Sequence, residues 1–234
     1  MVDCFTAQAT KACANRCENR SSLLVIGLTG GMGTGKSAVA ATLERLGASV
    51  IDADHEGHEA YAKGTMGWRR IGELFGEGVL TDDGEVDRRK LGQLVFGSPE
   101  ALGWLNAAIH PIIRDRIQAR LGELAEQGCA VVVIDAAVLV QAGWDDLADE
   151  VWTVKAPEEQ VAERVAEQRG LQFWEVRGRI AAQEALVRES EARASVLIEN
   201  SGTVDELRAN VPRPRRPPRY HLWDMIVLQV KQGI

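Results

Sequence analysis

The chain has little of what builds extracellular scaffolds. It holds 4 cysteines in 234 residues, too few for a disulfide framework. Cys4, Cys13 and Cys17 crowd the N-terminal end without a fourth His or Cys to complete a zinc site. Cys129 precedes an apolar run and reads as a core residue. Long hydrophobic runs are missing as well. Stretches such as Ala130 to Ile134 fall far short of the roughly 18 residues of a spanning helix, so no membrane span is expected. Asp3, Lys11 and Arg16 interrupt any secretory h-region. A reducing, cytoplasmic setting is expected, with mitochondrial association as the alternative suggested by the basic N-terminal end. No internal repeat is present.

Positive charge is also scarce in the body of the chain. The net charge is −7, yet residues 211–234 hold five Arg/Lys against one Asp. The body is therefore more acidic than the whole. A general nucleic-acid partner is excluded, because it would need a basic face. An anionic substrate would need positive groups gathered at one place.

What is present alternates strand and helix. Leu23 to Thr29 reads as a buried parallel strand ending in glycines. Ser37 to Leu46 has helical spacing and is closed by Gly47. Ser49–Asp52, Ala130–Asp135, Val151–Val154 and Val196–Glu199 read as four further strands. Pro111 is expected to open a long helix whose face carries Ile112, Ile113, Ile117, Leu121 and Leu124. Two charged helices follow Pro157, parted by Gly170, and a short helix covers Thr203 to Ala209. This pattern means an α/β fold with a mostly parallel sheet. Residues 1–22 read as a flexible lead-in, and 23–210 as the folded domain. Residues 211–234 read as a stiff tail in which Pro212, Pro214, Pro217 and Pro218 interleave with arginines. A protein partner for that tail is a PxxP-type expectation.

Gly30-Gly31-Met32-Gly33-Thr34-Gly35-Lys36-Ser37 fits G-x-x-x-x-G-K-[ST] between a strand and a helix, with Ala38 next in the helix. Glycines let the backbone wrap a phosphate and aim successive N–H groups at it. The helix N-terminus adds partial positive charge. Lys36 would place an ammonium on the β- and γ-phosphate oxygens, and the Ser37 hydroxyl would coordinate Mg²⁺. ATP binding is expected. No Asn-Lys-x-Asp guanine-reading motif occurs, which disfavours a GTPase.

Asp52 and Asp54 leave the end of the second strand, where open α/β sheets bind ligands. One could orient or deprotonate an acceptor hydroxyl; the competing reading is a helix cap. Asp135 ends another apolar strand and resembles a metal-side carboxylate, with a turn residue as its bland alternative. His110 stands before Pro111 and could be a cap or a packed residue. Arg164 and Arg169 could be surface charges.

Ile26 to Ser37, Leu46-Gly-Ala-Ser-Val-Ile-Asp-Ala-Asp54 and His58 resemble the dephospho-CoA kinase family. So do Phe75-Gly76, Asp87-Arg88, Leu91-Gly92, Val95-Phe96, Ile109-His-Pro111, Arg179-Ile180 with Gln183, and Val196 to Gly202. Val133 to Leu139 with Ala142-Gly-Trp144 is similar to the kinase half of animal bifunctional CoA synthases. The resemblance implies a five-stranded P-loop kinase core, an acceptor insertion around 55–110 and a lid around 158–190. It implies ATP-dependent phosphorylation of the ribose 3′-hydroxyl of dephospho-CoA. Asp54 would meet that hydroxyl, with Asp52, Arg88 and His110 on the acceptor side. Arg164 and Arg169 would lie on the ATP phosphates, and Ser37 and Asp135 at Mg²⁺.

Two positions depart from the family. Gln141 stands where an acidic residue is usual. Arg169, after Gln168, is displaced by one position, a rotation of about 100° on a helix that would turn it away from the phosphates. Another small-molecule P-loop kinase, or a nucleotide-binding scaffold without catalysis, are the rival readings.

Overall fold

The structure, a computed structural model, describes residues 23–214. The lead-in 1–22 and residues 215–234 of the tail lie outside the described residues. Five strands form one parallel sheet in the order β2-β3-β1-β4-β5: β1 Leu24–Gly30, β2 Ser49–Asp52, β3 Val131–Asp135, β4 Glu150–Lys155 and β5 Val196–Glu199. Eight α-helices accompany them among the described residues: α1 Lys36–Arg45, α2 Ala53–Ala60, α3 Met66–Phe75, α4 Arg88–Phe96, α5 Pro99–Glu126, α6 Glu158–Arg169, α7 Phe173–Arg193 and α8 Val204–Asn210.

Strand β1 lies at the centre, and all seven of its residues are buried. A parallel strand covered on both faces has no polar side to show, which is why this one reads as an unbroken apolar run. One core layer, with Ile51, Ile117, Leu121, Ile134 and Trp144, lies between the sheet and α2–α5. The other, with Ile26, Leu28, Val39, Leu43, Trp152 and Leu207, lies under α1 and α8. Each fully buried side chain of this size contributes about 1.5–3 kcal/mol. Trp144 and Trp152 are buried without orphaning their indole N–H groups, which donate to the His110 carbonyl at 3.3 Å and Glu150 Oε2 at 2.7 Å.

The long helix corrects one sequence expectation. Helix α5 starts at Pro99, not Pro111. Ser98 caps it by accepting from the Ala101 N–H at 3.2 Å, and Pro99 takes the first position, where a missing N–H costs nothing. Pro111 sits inside and exposed; the helix runs through at the cost of one ladder bond, because Ile109, Ile113 and Ile117 anchor both sides of it.

Helices α6 and α7 form an antiparallel pair, turned by Gly170 in a left-handed conformation. Their small core of Val161, Ala162, Val165 and Val176 packs directly on Met32. The C-terminal half of α7 is tied to the sheet side. Thr153 Oγ1 donates to the Ser190 carbonyl at 3.1 Å, Gln141 Nε2 to the Leu186 carbonyl at 3.0 Å, and Arg193 to Asp145 at 3.0 Å. Val211, where the tail was read to begin, is buried beside the α8 layer. No helix among the described residues is long and apolar enough to cross a membrane.

Candidate active site

The C-terminal ends of β1, β3 and β2 converge on one edge of the sheet. From β1 the chain enters the glycine loop and then α1. Gly33 and Gly35 take φ values of 72° and 100°, left-handed positions that L side chains rarely adopt. There is no room either: a Cβ on Gly33 would lie 2.5 Å from Val165 Cγ2, and one on Gly35 2.7 Å from Asn200 Nδ2. The loop therefore lies between the α6–α7 pair and the β5 end, touching both through its backbone.

A cavity of about 490 Å³ opens over this loop. Gly30, Gly31, Met32, Gly33, Gly35, Lys36, Ser37 and Ala38 line it, and Arg164, Gln168 and Arg169 reach it from α6. The one-residue displacement of Arg169 does not turn it away. It is the last residue of α6, and a long side chain at a helix end still reaches the opening. Arg164 is held by its NH2 group donating to the Gly202 carbonyl at 2.8 Å. Thr34 is the exception within the loop: it is buried, and its hydroxyl donates back to the Gly31 carbonyl at 2.9 Å.

Residues without an assigned role in the sequence reading also build this cavity. Gln183 of α7 accepts from the Met32 N–H at 3.3 Å, so α7 holds the loop by its backbone. Asn200, just past β5, donates to the Thr34 carbonyl at 2.8 Å while its own Oδ1 has no partner. Nothing in the glycine motif points to either residue. The pairing of the loop with α7 and with the end of β5, each across more than 150 positions of sequence, is visible only after folding.

Lys36 forms an ion pair with Asp135, both side chains largely withdrawn from solvent. Burial pushes the Asp135 carboxyl up from its ordinary range; Lys36 pulls it back, and Asp52 and Asp54 push it up again. Asp52 and Asp135 are register partners on neighbouring strands. Three carboxylates, one ammonium and the Ser37 hydroxyl thus gather at the mouth of the loop. Among the described residues no three His, Cys, Asp or Glu side chains converge as an all-protein metal cage. The set nevertheless fits Mg²⁺, which needs only one or two protein oxygens and takes the rest from phosphate and water.

On the acceptor side, Asp52 caps α2, its Oδ1 accepting from the Asp54 and His55 N–H groups at 2.9 and 3.1 Å. Its carboxylate is committed to the helix end, the competing reading of the sequence. That cap leaves Asp54 exposed in the first turn of α2. Arg88 is exposed at the first position of α4, behind its cap Asp87. His110 is half-buried within α5, edge-on to Trp144 with ring centroids 5.4 Å apart. Burial holds its imidazole below the ordinary 6.5. The structure thus brings Lys36, Ser37, Asp135, Asp52 and Asp54 to one edge, with Arg88 and His110 on the helices of the insertion.

A strand-end carboxylate beside a phosphate loop fits phosphoryl transfer, and the similarity of this chain to known proteins is specific. The family model for dephospho-CoA kinase matches residues 24–206. The chain belongs to the dephospho-CoA kinase family. A dephospho-CoA kinase of Geobacter sulfurreducens is 46% identical over 187 residues, covering 80% of this chain and 94% of the relative. One from Carboxydothermus hydrogenoformans is 38% identical over 189 residues, covering 81% and 91%. A solved Thermus thermophilus protein superposes with a TM-score of 0.66 at 30% identity, over 90% of this chain and 98% of that one. A dephospho-CoA kinase from Campylobacter jejuni gives 0.61 at 21% identity over 90% and 98%, which supports the fold. Dephospho-CoA kinase relatives are thus matched along nearly their whole length.

Proposed function

We propose that the protein transfers the γ-phosphoryl group of ATP to the ribose 3′-hydroxyl of dephospho-CoA, giving CoA and ADP, the last step of CoA biosynthesis. What supports this reading is Asp54, exposed in the first turn of α2 just after β2, whose last residue is the register partner of Asp135, the ion-pair partner of Lys36, in a chain of the dephospho-CoA kinase family.

ATP would lie in the cavity with its phosphates wrapped by loop N–H groups that have no partner among the described residues, those of Gly33, Gly35 and Lys36 among them. Lys36 is held by Asp135 and would exchange that partner for the β- and γ-phosphates, placing its charge where negative charge is shared in transfer. Arg164 and Arg169 would add cations from the lid. Ser37 and Asp135 would hold Mg²⁺, which supplies charge neutralisation between the β- and γ-phosphates when bound. Asp54 would accept the proton of the 3′-hydroxyl as its oxygen bonds to the γ-phosphorus and the bond to the β,γ-bridging oxygen breaks. The lid, seated on Met32, would keep water from competing as acceptor. Activity in the cytoplasm belongs to the same reading.

The test is product analysis after incubation with Mg·ATP and dephospho-CoA, alongside other nucleosides, nucleotides and shikimate. A new 3′-phosphomonoester by phosphorus NMR, formed with dephospho-CoA alone, is expected. Transfer to a different acceptor would replace this substrate. ATP binding with no transfer would favour the scaffold reading.

A further inference from the structure

The face of α2 that starts at Asp54 does not end there. Positions i, i+4 and i+7 share a helix face, and on α2 these are Asp54, His58 and Tyr61. Asp54 and His58 are exposed. Tyr61 is the residue that ends the helix, half-buried, with its ring edge-on to His58 at 6.1 Å between centroids. Seven residues of helix put Tyr61 roughly 10 Å beyond Asp54 along the axis.

The segment before α4 folds over this end of α2. Leu80 bridges Val86, and both pack in the same layer as Tyr61. Lys63 donates to the Asp83 carbonyl, Gly84 lies against the Lys63 side chain, and Trp68 Nε1 donates to the Gly84 carbonyl at 2.8 Å. These contacts hold the turn that leads into Asp87 and Arg88 against the C-terminal end of α2. The phenol senses both ends of the face: the Arg88 charge favours its ionised form and the Asp54 charge opposes it, beneath a larger effect of burial.

Asp54 at one end is a hydroxyl-side carboxylate; Tyr61 with Arg88 at the other is an O–H donor beside a guanidinium. The proposed acceptor has the same order of groups, a ribose hydroxyl and then a diphosphate ester on the 5′ side. We propose that Tyr61 is a specificity residue whose hydroxyl donates to the acceptor's diphosphate next to Arg88, so that α2 measures the span from reacting hydroxyl to anion. His58 fixes the ring by its edge contact. The inference rests on the proposed acceptor chemistry and adds a residue to it. A hydrogen bond to a charged group is a charge-assisted one, stronger than its neutral counterpart.

The test is steady-state kinetics of Tyr61→Phe, which keeps the ring, its packing and the His58 contact. KM for dephospho-CoA is expected to rise about tenfold, the loss of one hydrogen bond to an anion. KM for ATP, kcat and the melting temperature stay as in the wild type. Adding Arg88→Gln should cost less in Tyr61→Phe than in the wild type, because both bind one group. An unchanged acceptor KM, or acceptor and ATP constants shifting together, overturns the role of Tyr61. Wild-type protein that does not phosphorylate dephospho-CoA overturns the acceptor reading itself, and Tyr61's role with it, an outcome seen before any variant is compared.

Discussion

Three glycines of the phosphate loop and several of the helical insertion live in opposite surroundings, Gly67 of α3 excepted, where a Cβ would lie 2.3 Å from the Ala60 carbonyl oxygen. In the phosphate loop a side chain has nowhere to go: Gly30, Gly33 and Gly35 would each drive a Cβ to within 2.7 Å of a neighbour. In the insertion, Gly72 of α3 and Gly103 of α5 have no heavy atom within 4 Å of such a Cβ. One half of the site is built by backbone fit, which tolerates a single residue type at each position. The other is built from exposed side chains on helices, which tolerates many. The first is therefore written as one contiguous motif, the second as short pieces spread along the chain.

The largest effects should come from the two groups that face each other across this divide. Lys36→Ala should lower kcat about 10²–10³-fold, the scale for removing one preorganised positive donor. Asp54→Asn should lower it about 10²–10⁴-fold as a lost proton acceptor. Asp54→Asn should leave the melting transition near that of the wild type, and a collapse of its fold would contradict an exposed catalytic role; Lys36→Ala leaves the withdrawn Asp135 carboxylate without its partner and should lower the transition.

Gly33→Ala sharpens the contrast in stability. Its Cβ meets Val165 at a positive φ, so a loss of roughly 1–3 kcal/mol is expected in urea titration, with weaker ATP binding. Gly103→Ala, in the second turn of α5 where nothing lies within 4 Å of a Cβ, should do the reverse and stabilise by about 0.5–1 kcal/mol. Equal effects at the two sites would break the comparison.

The smallest expected effect is a pH dependence on the acceptor side. Burial holds His110 below its ordinary 6.5, so the folded chain gives up this proton more readily than the unfolded one. Its contribution to stability is present above about 6.5 and is lost as pH falls below that value. His110→Gln should flatten the stability profile there; an unchanged slope would show that the imidazole is solvated.

Periodicity and motif made most of the frame legible. Strands β2 and β5 match their expected ends, because each is a short apolar run closed by a polar residue. The Pro111 reading failed because proline is a helix-start signal only where no apolar stripe continues upstream, and Ile109 and Ala101 continue it here. Arg169 lines the cavity despite its displaced position, because a helical wheel describes direction at the backbone, not the reach of an arginine at a helix end. Asp52 and Asp54 looked like a pair in sequence. Their roles separate in space because one carboxylate caps the helix that carries the other. Gln183 and Asn200 act across distances in the chain that no local pattern encodes.

Release of ADP from Mg·ATP, with and without dephospho-CoA, in the wild type and in Lys36→Ala, tests the central claim most directly. The account predicts ADP formation that depends on the acceptor and is lost in the variant. ADP formation indifferent to dephospho-CoA, or undiminished without Lys36, would contradict it.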